Sequence, residues 1–144
     1  DDEVFLNVNR PSVPMISCHQ LAELIRGPTP YDQVLILDAR FQYEFDGGHI
    51  IGAQNVTNNN QIRDIYNNCF GNTCVICYCE FSQSRSPHLF KLIREYDRTN
   101  HVNEYPNLAI PNLYVLESGY NLFYRNYQSL CVGGYTPMAQ QINT

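Results

Sequence analysis

A chain of 144 residues, 44% hydrophobic and 16% charged, has the proportions of one ordinary globular domain. A net charge of -5 with Lys91 as the single lysine argues against nucleic-acid binding. No apolar run approaches the ~18 residues that cross a bilayer, so no membrane association is expected.

In chain order, Ser17 with Gln20 reads as a capping box opening a helix through Leu21, Leu24 and Ile25, which Gly27 closes. Pro28 and Pro30 break the chain ahead of a strand over residues 34–37, ended by Asp38, Ala39 and Arg40. Gly47 and Gly48 mark a turn before a short strand near residues 53–56, and residues 61–68 read as a weaker helix. Residues 73–78 are β-branched and apolar, without Gly or Pro, as a buried strand is. Pro87 fits the first turn of a helix whose apolar face is Leu89, Leu92, Ile93 and Tyr96, leaving Lys91, Arg94, Glu95 and Arg98 largely opposite. A strand over 113–116, then Gly119 and a short helix with Leu122 and Phe123, complete the pattern. Strands alternating with helices predict an α/β fold with a mainly parallel sheet, whose sites lie beyond the carboxyl ends of the strands.

Cys79 falls at such an end. Glu80, Phe81, Ser82, Gln83 and Ser84 separate it from Arg85, and they are too polar and irregular to continue the strand. In a strand–loop–helix the loop amides converge on a bound anion and the helix N-terminus adds positive potential. That setting suits a thiolate nucleophile at Cys79 and a guanidinium at Arg85 gripping two phosphoryl oxygens. The alternative is a buried core cysteine beside a surface charge. Of the six cysteines, Cys74 and Cys77 form a C-x-x-C, but no second pair follows at zinc spacing, so neither metal nor other cofactor is expected. Asp38 with Arg40 reads as a buried pair bracing the sheet, with Glu44 and His49 structural. Without a secretory signal the protein is expected to be intracellular, in cytoplasm or nucleus, and monomeric; its start, Asp1-Asp2-Glu3, points to an excised piece of a longer protein.

Three segments together carry a family resemblance. L-D-A-R-F-Q-Y-E-F-D-G-G-H-I-I-G-A-Q-N-V, from Leu37, resembles the first half of a rhodanese-type domain. Y-C-E-F-S-Q-S-R-S-P, running on to L-I-R-E-Y-D-R, is similar to the active loop and helix of the M-phase-inducer dual-specificity phosphatases. N-E-Y-P-N-L, L-Y-V-L-E-S-G-Y and Y-T-P-M follow in the family's order, so the likeness runs from about Ile16 to Met138.

The resemblance implies a rhodanese-like fold over one domain: a central, mainly parallel five-stranded sheet with helices on both faces. It implies dephosphorylation of phosphotyrosine and phosphothreonine on a cyclin-dependent kinase, with Cys79 as nucleophile, Arg85 as phosphate ligand and residues 80–84 as cradle. Arg94, Arg98 and Tyr105 match positions that face the kinase. Tyr78 stands where the family has a histidine, Ser84 where it has a second acid, and Ala39 where it has a cysteine that captures the oxidised nucleophile. Ser86 replaces a glycine, which suggests a hydroxyl that steadies the departing thiolate, as in classical tyrosine phosphatases. The rival readings are a sulfurtransferase, disfavoured by the length of the loop, an arsenate reductase of the same fold, and a silent phosphoprotein-binding module.

Overall fold

The computed structural model describes residues 13–104 and 107–137. Its centre is β5 (Thr73–Tyr78), all six residues of which are buried. β5 lies between β2 (Gln33–Asp38) and β6 (Asn112–Leu116); β1 (Met15–Ile16) extends the sheet beyond β6 and β4 (Gln54–Asn55) beyond β2. All pairings in this five-stranded sheet are parallel. The predicted α/β architecture is therefore the observed one.

Alternation along β5 divides the interior in two. Cys74, Ile76 and Tyr78 face a core closed by α1 (Cys18–Arg26) and α5 (Gly119–Asn126), through Leu21, Tyr120 and Phe123. Val75 and Cys77 face the other, closed by α3 (Asn59–Asn67) and α4 (Arg85–Asn100) through Ile62, Leu89 and Ile93. Each such aliphatic side chain contributes roughly 1.5–3 kcal/mol by leaving water.

Local chemistry sets the helix ends. Ser17 Oγ accepts from the Gln20 amide while Gln20 returns the bond to the Ser17 amide, the capping box the sequence announces. Asn58 and Gln61 repeat the device, so α3 starts two residues earlier than expected. Four of the helices and strands were not anticipated: β1, the short helix α2 (Gln42–Asp46) and the antiparallel pair β3 (Gly48–Ile50) and β7 (Cys131–Gly133). Gly48 makes that pairing possible, since a Cβ there would overlap the backbone of Gly134.

Arg40 is the largest fully buried side chain, 1% exposed, and Asp38 is sealed with it. Arg40 Nε donates to Asp38 Oδ1 at 3.0 Å and Nη2 to Oδ2 at 2.7 Å; Nη2 also reaches the Gly48 carbonyl at 2.7 Å. The guanidinium lies 4.4 Å from the centroid of the Tyr120 ring. One ion pair thus joins the end of β2 to β3 and to α5. Removing a single partner strands the other charge away from water, so Asp38→Ala should lower unfolding free energy by about 3–5 kcal/mol in urea titrations. A loss under about 1 kcal/mol, the scale of an exposed pair, would deny the pair its bracing role.

Candidate active site

The parallel register sets Asp38 opposite Tyr78, so the chain leaving β2 and the loop leaving β5 emerge side by side. Cys79 opens that loop, 5% exposed. Its carbonyl accepts from the Tyr120 amide at 2.9 Å, and the Glu80 carbonyl accepts from the Asn121 amide at 2.9 Å. These donors are the first turn of α5, and Gly119 lets them approach: its φ is +63°, and a Cβ there would stand 2.4 Å from the Cys79 oxygen.

With both carbonyls drawn back, the amides that follow are left over. Among the described residues, the N–H groups of Phe81, Ser82, Gln83 and Ser84 donate to no other group. Ser82 is left-handed at φ 56°, the conformational reversal by which successive amides turn to one side. Ser84 gives α4 no side-chain cap, so the N-terminus of a 16-residue helix adds uncapped amides to the same place.

Arg85 begins α4 with a third of its side chain exposed. Its guanidinium lies 3.5 Å from the centroid of the Phe41 ring, and Nη1 is 3.4 Å from Glu44 Oε1. Glu44 is itself buried and accepts the Phe41 amide at 3.0 Å. Burial lifts the Glu44 carboxyl above its ordinary range, against the opposing pull of the Phe41 amide, Arg40 and Arg85.

Ser86 is fully buried, with Oγ 3.3 Å from Cys79 Sγ. On the other flank, Tyr135 donates its hydroxyl to Glu80 Oε2 and accepts from Asn121 Nδ2 at 3.0 Å. Burial first, then Glu80, push the Tyr135 phenol up to about 12, so it remains a donor through the ordinary pH range.

Other expected residues fall elsewhere. Tyr78 points into the opposite core, its hydroxyl accepting the Ile50 amide at 3.1 Å, so it does not face the Cys79 sulfur. Arg94 departs from the expected solvent face: its side chain is 15% exposed, and Nη1 donates to the Ile110 carbonyl at 2.8 Å. That bond anchors the chain entering β6. Arg98 is exposed, and Tyr105 lies outside the described residues. His49 hydrogen-bonds the Phe45 carbonyl at 2.8 Å and stacks on that ring, a structural post. Cys74 and Cys77 face opposite cores and cannot share a metal, and no group of metal-ligating side chains is found among the described residues.

Sequence reasoning missed the contacts of Glu44 and Phe41 with Arg85, and those of Gly119 and Tyr135 with the loop. Glu44 carried one usable signal, an acid three residues after Phe41, where it caps its own short helix.

The site is therefore a loop of amides without protein acceptors among the described residues, between a thiol and a guanidinium, on a parallel α/β sheet. Residues 17–126 match the rhodanese-like domain family, and the chain belongs to it. Over 123 residues it is 37% identical to an M-phase inducer phosphatase of Emericella nidulans, covering 83% of this chain and 22% of that protein. It is 38% identical to the Cdc25-like protein phosphatase twine of Drosophila melanogaster, covering 85% and 31%. Human M-phase inducer phosphatase 1 is 39% identical, covering 74% and 21%. The chain spans about a fifth to a third of these relatives' lengths. Among solved structures, an As-Sb reductase from Leishmania major superposes with a TM-score of 0.70 at 18% identity, covering 92% of this chain and 97% of that one. A yeast protein tyrosine phosphatase of the rhodanese family gives 0.67 at 18% identity, covering 85% and 94%. At that identity both speak for the fold. No helix among the described residues is long and apolar enough to cross a membrane.

The buried carboxyl yields a pH prediction. Because folding raises the pKa of Glu44, the stability it contributes is complete below its unfolded value and is lost as pH rises through the folded one. Glu44→Gln escapes that loss, so its melting temperature relative to wild type should be higher near pH ~7 than near pH ~4. A difference that does not change with pH would show that Glu44 does not titrate with unfolding.

Proposed function

We propose that this domain is a cysteine-dependent protein phosphatase acting on phosphotyrosine and phosphothreonine, with a cyclin-dependent kinase as protein substrate. The observation that carries the reading is that Cys79, four loop amides with no protein acceptor among the described residues and Arg85 follow one another at the carboxyl end of β5. The curated relatives named as phosphatases supply the reaction class.

The chemistry follows from the parts. The Cys79 thiolate attacks phosphorus as the P–O ester bond breaks, and the departing oxygen takes a proton at the open mouth. A tyrosine phenolate leaves more readily than an alkoxide. The amides of residues 80–84 and the planar fork of Arg85 hold the equatorial oxygens, whose charge the transition state spreads. To grip a phosphoryl group, Arg85 shifts its weight from Glu44 to the guest while Phe41 keeps the plane of the guanidinium oriented. Water then attacks the phosphocysteine, the P–S bond breaks, and phosphate departs. The thiolate that returns finds the Ser86 hydroxyl as a donor, since 3.3 Å is within hydrogen-bond reach of sulfur.

In this reading Glu80 is a loop member whose carboxylate Tyr135 restrains. Of the two arginines that the resemblance sets toward a kinase, Arg98 is exposed for a protein partner, Arg94 being committed to Ile110. Arsenate reduction needs a thiol relay, and Cys74 and Cys77 are each 0% exposed.

Aryl-phosphate hydrolysis inhibited by vanadate is the direct test. Cys79→Ser should abolish turnover yet retain a phosphoprotein, and Arg85→Lys should lower kcat/KM at least a hundredfold, as loss of an oxyanion donor does. Turnover by the serine variant at the wild-type rate would end the phosphatase reading. Ser86→Ala should slow phosphocysteine hydrolysis about tenfold, the scale of one net hydrogen bond, and reveal a burst of phenol. Unchanged turnover and burst would remove Ser86 from the mechanism.

A further inference from the structure

A cavity of about 330 Å³ opens beside Arg85, between Phe41, the start of α3 and the first turns of α4. Its floor is apolar: Val56, Ile62, Leu89 and Leu92. A second cavity of about 320 Å³ lies farther along the same two helices, with Arg63, Glu95, Tyr96 and Thr99. Asn59, Ile62 and Leu92 line both. The two are therefore one trough that starts at the phosphate-gripping guanidinium and runs down the seam between α3 and α4.

The dimensions suit an extended chain. From Arg85 to Tyr96 along α4 is ~16 Å, at 1.5 Å per residue. About five residues of extended polypeptide cover that distance. Leu89 lies one turn from Arg85, where the second residue from a bound phosphoresidue would pass. The far cavity falls where the fifth would. Near the site the rim is uncharged amide and hydroxyl, from Thr57, Asn58 and Asn59. At the far end Arg63 and Glu95 stand on opposite helices, both exposed, and do not pair with each other. Such a rim offers a donor and an acceptor to a peptide backbone and does not select for charge.

We propose that this trough is a substrate channel: it receives the polypeptide flanking the phosphorylated residue and favours apolar side chains at about the second and fifth positions. The inference rests on the phosphatase reading for its starting point, because continuity with the Arg85 cleft names the occupant. A phosphoprotein segment held at Arg85 borders the cavity that Phe41 and Leu89 also line, and the trough offers it an apolar exit.

The test compares two phosphotyrosine peptides, one with leucine at the second and fifth positions on each side and one with serine there. Wild type should hydrolyse the leucine peptide with about tenfold higher kcat/KM, as expected for placing an aliphatic side chain out of water. Asn59→Trp, at an exposed position on the shared wall, should fill the trough and erase that preference while leaving aryl-phosphate kcat/KM unchanged. Equal rates for the two peptides, or a preference that survives Asn59→Trp, would overturn the proposal. Should wild type hydrolyse no aryl phosphate, the phosphatase reading fails by itself. Fluorescence anisotropy of the same peptides without phosphate then decides the trough: preferential binding of the leucine peptide, lost in Asn59→Trp, supports it, and equal binding rejects it.

Discussion

Two hydrogen bonds, from the first amides of α5 to the carbonyls of Cys79 and Glu80, hold the arrangement on which this domain depends. A chain leaving a strand has as many carbonyls as amides, and a loop that presented both would repel an anion as often as attract it. By turning the two leading carbonyls toward α5, the fold gives the loop a sign. The remaining amides and the uncapped start of α4 then stand beside the Arg85 guanidinium at the carboxyl end of β5, in a protein whose net charge is -5.

The two arginines of the region show how the same group serves opposite ends. Arg40 is sealed, forked onto Asp38 and seated on an aromatic ring, so it cannot leave without stranding a charge. Arg85 is a third exposed and rests between Phe41 and the longer 3.4 Å contact to Glu44. That contact, with the Phe41 ring, orders the guanidinium. Glu44 stays where it is because the Phe41 amide fixes it, so Arg85 has a defined resting place.

How much of this was legible follows from the range of the interactions. β5, the capping box at Ser17 and the loop from Cys79 to Arg85 are local patterns, and all three stand where the sequence put them. The Asp38–Arg40 pair was also readable, since two such groups at a strand end seldom lie buried alone. The pairing of β3 with β7 was not, because it joins residues some eighty positions apart through a glycine contact that no periodicity records. Arg94 misled for a related reason: helical spacing assigns it outward, but the Ile110 carbonyl, on a separate loop, draws it in. The bonds of Tyr135 to Glu80 and of Glu44 to Arg85 likewise cross between segments distant in sequence.

The distribution of sulfur has a practical side. Burial raises the thiol pKa of Cys18, Cys69, Cys74, Cys77 and Cys131, that of Cys74 to about 11, so each stays protonated and slow toward electrophiles near neutrality. A haloacetamide of modest size therefore reacts slowly with these five sulfurs, and label found by mass on the buried Cys74 or Cys77 counts the molecules in a preparation whose core has come open.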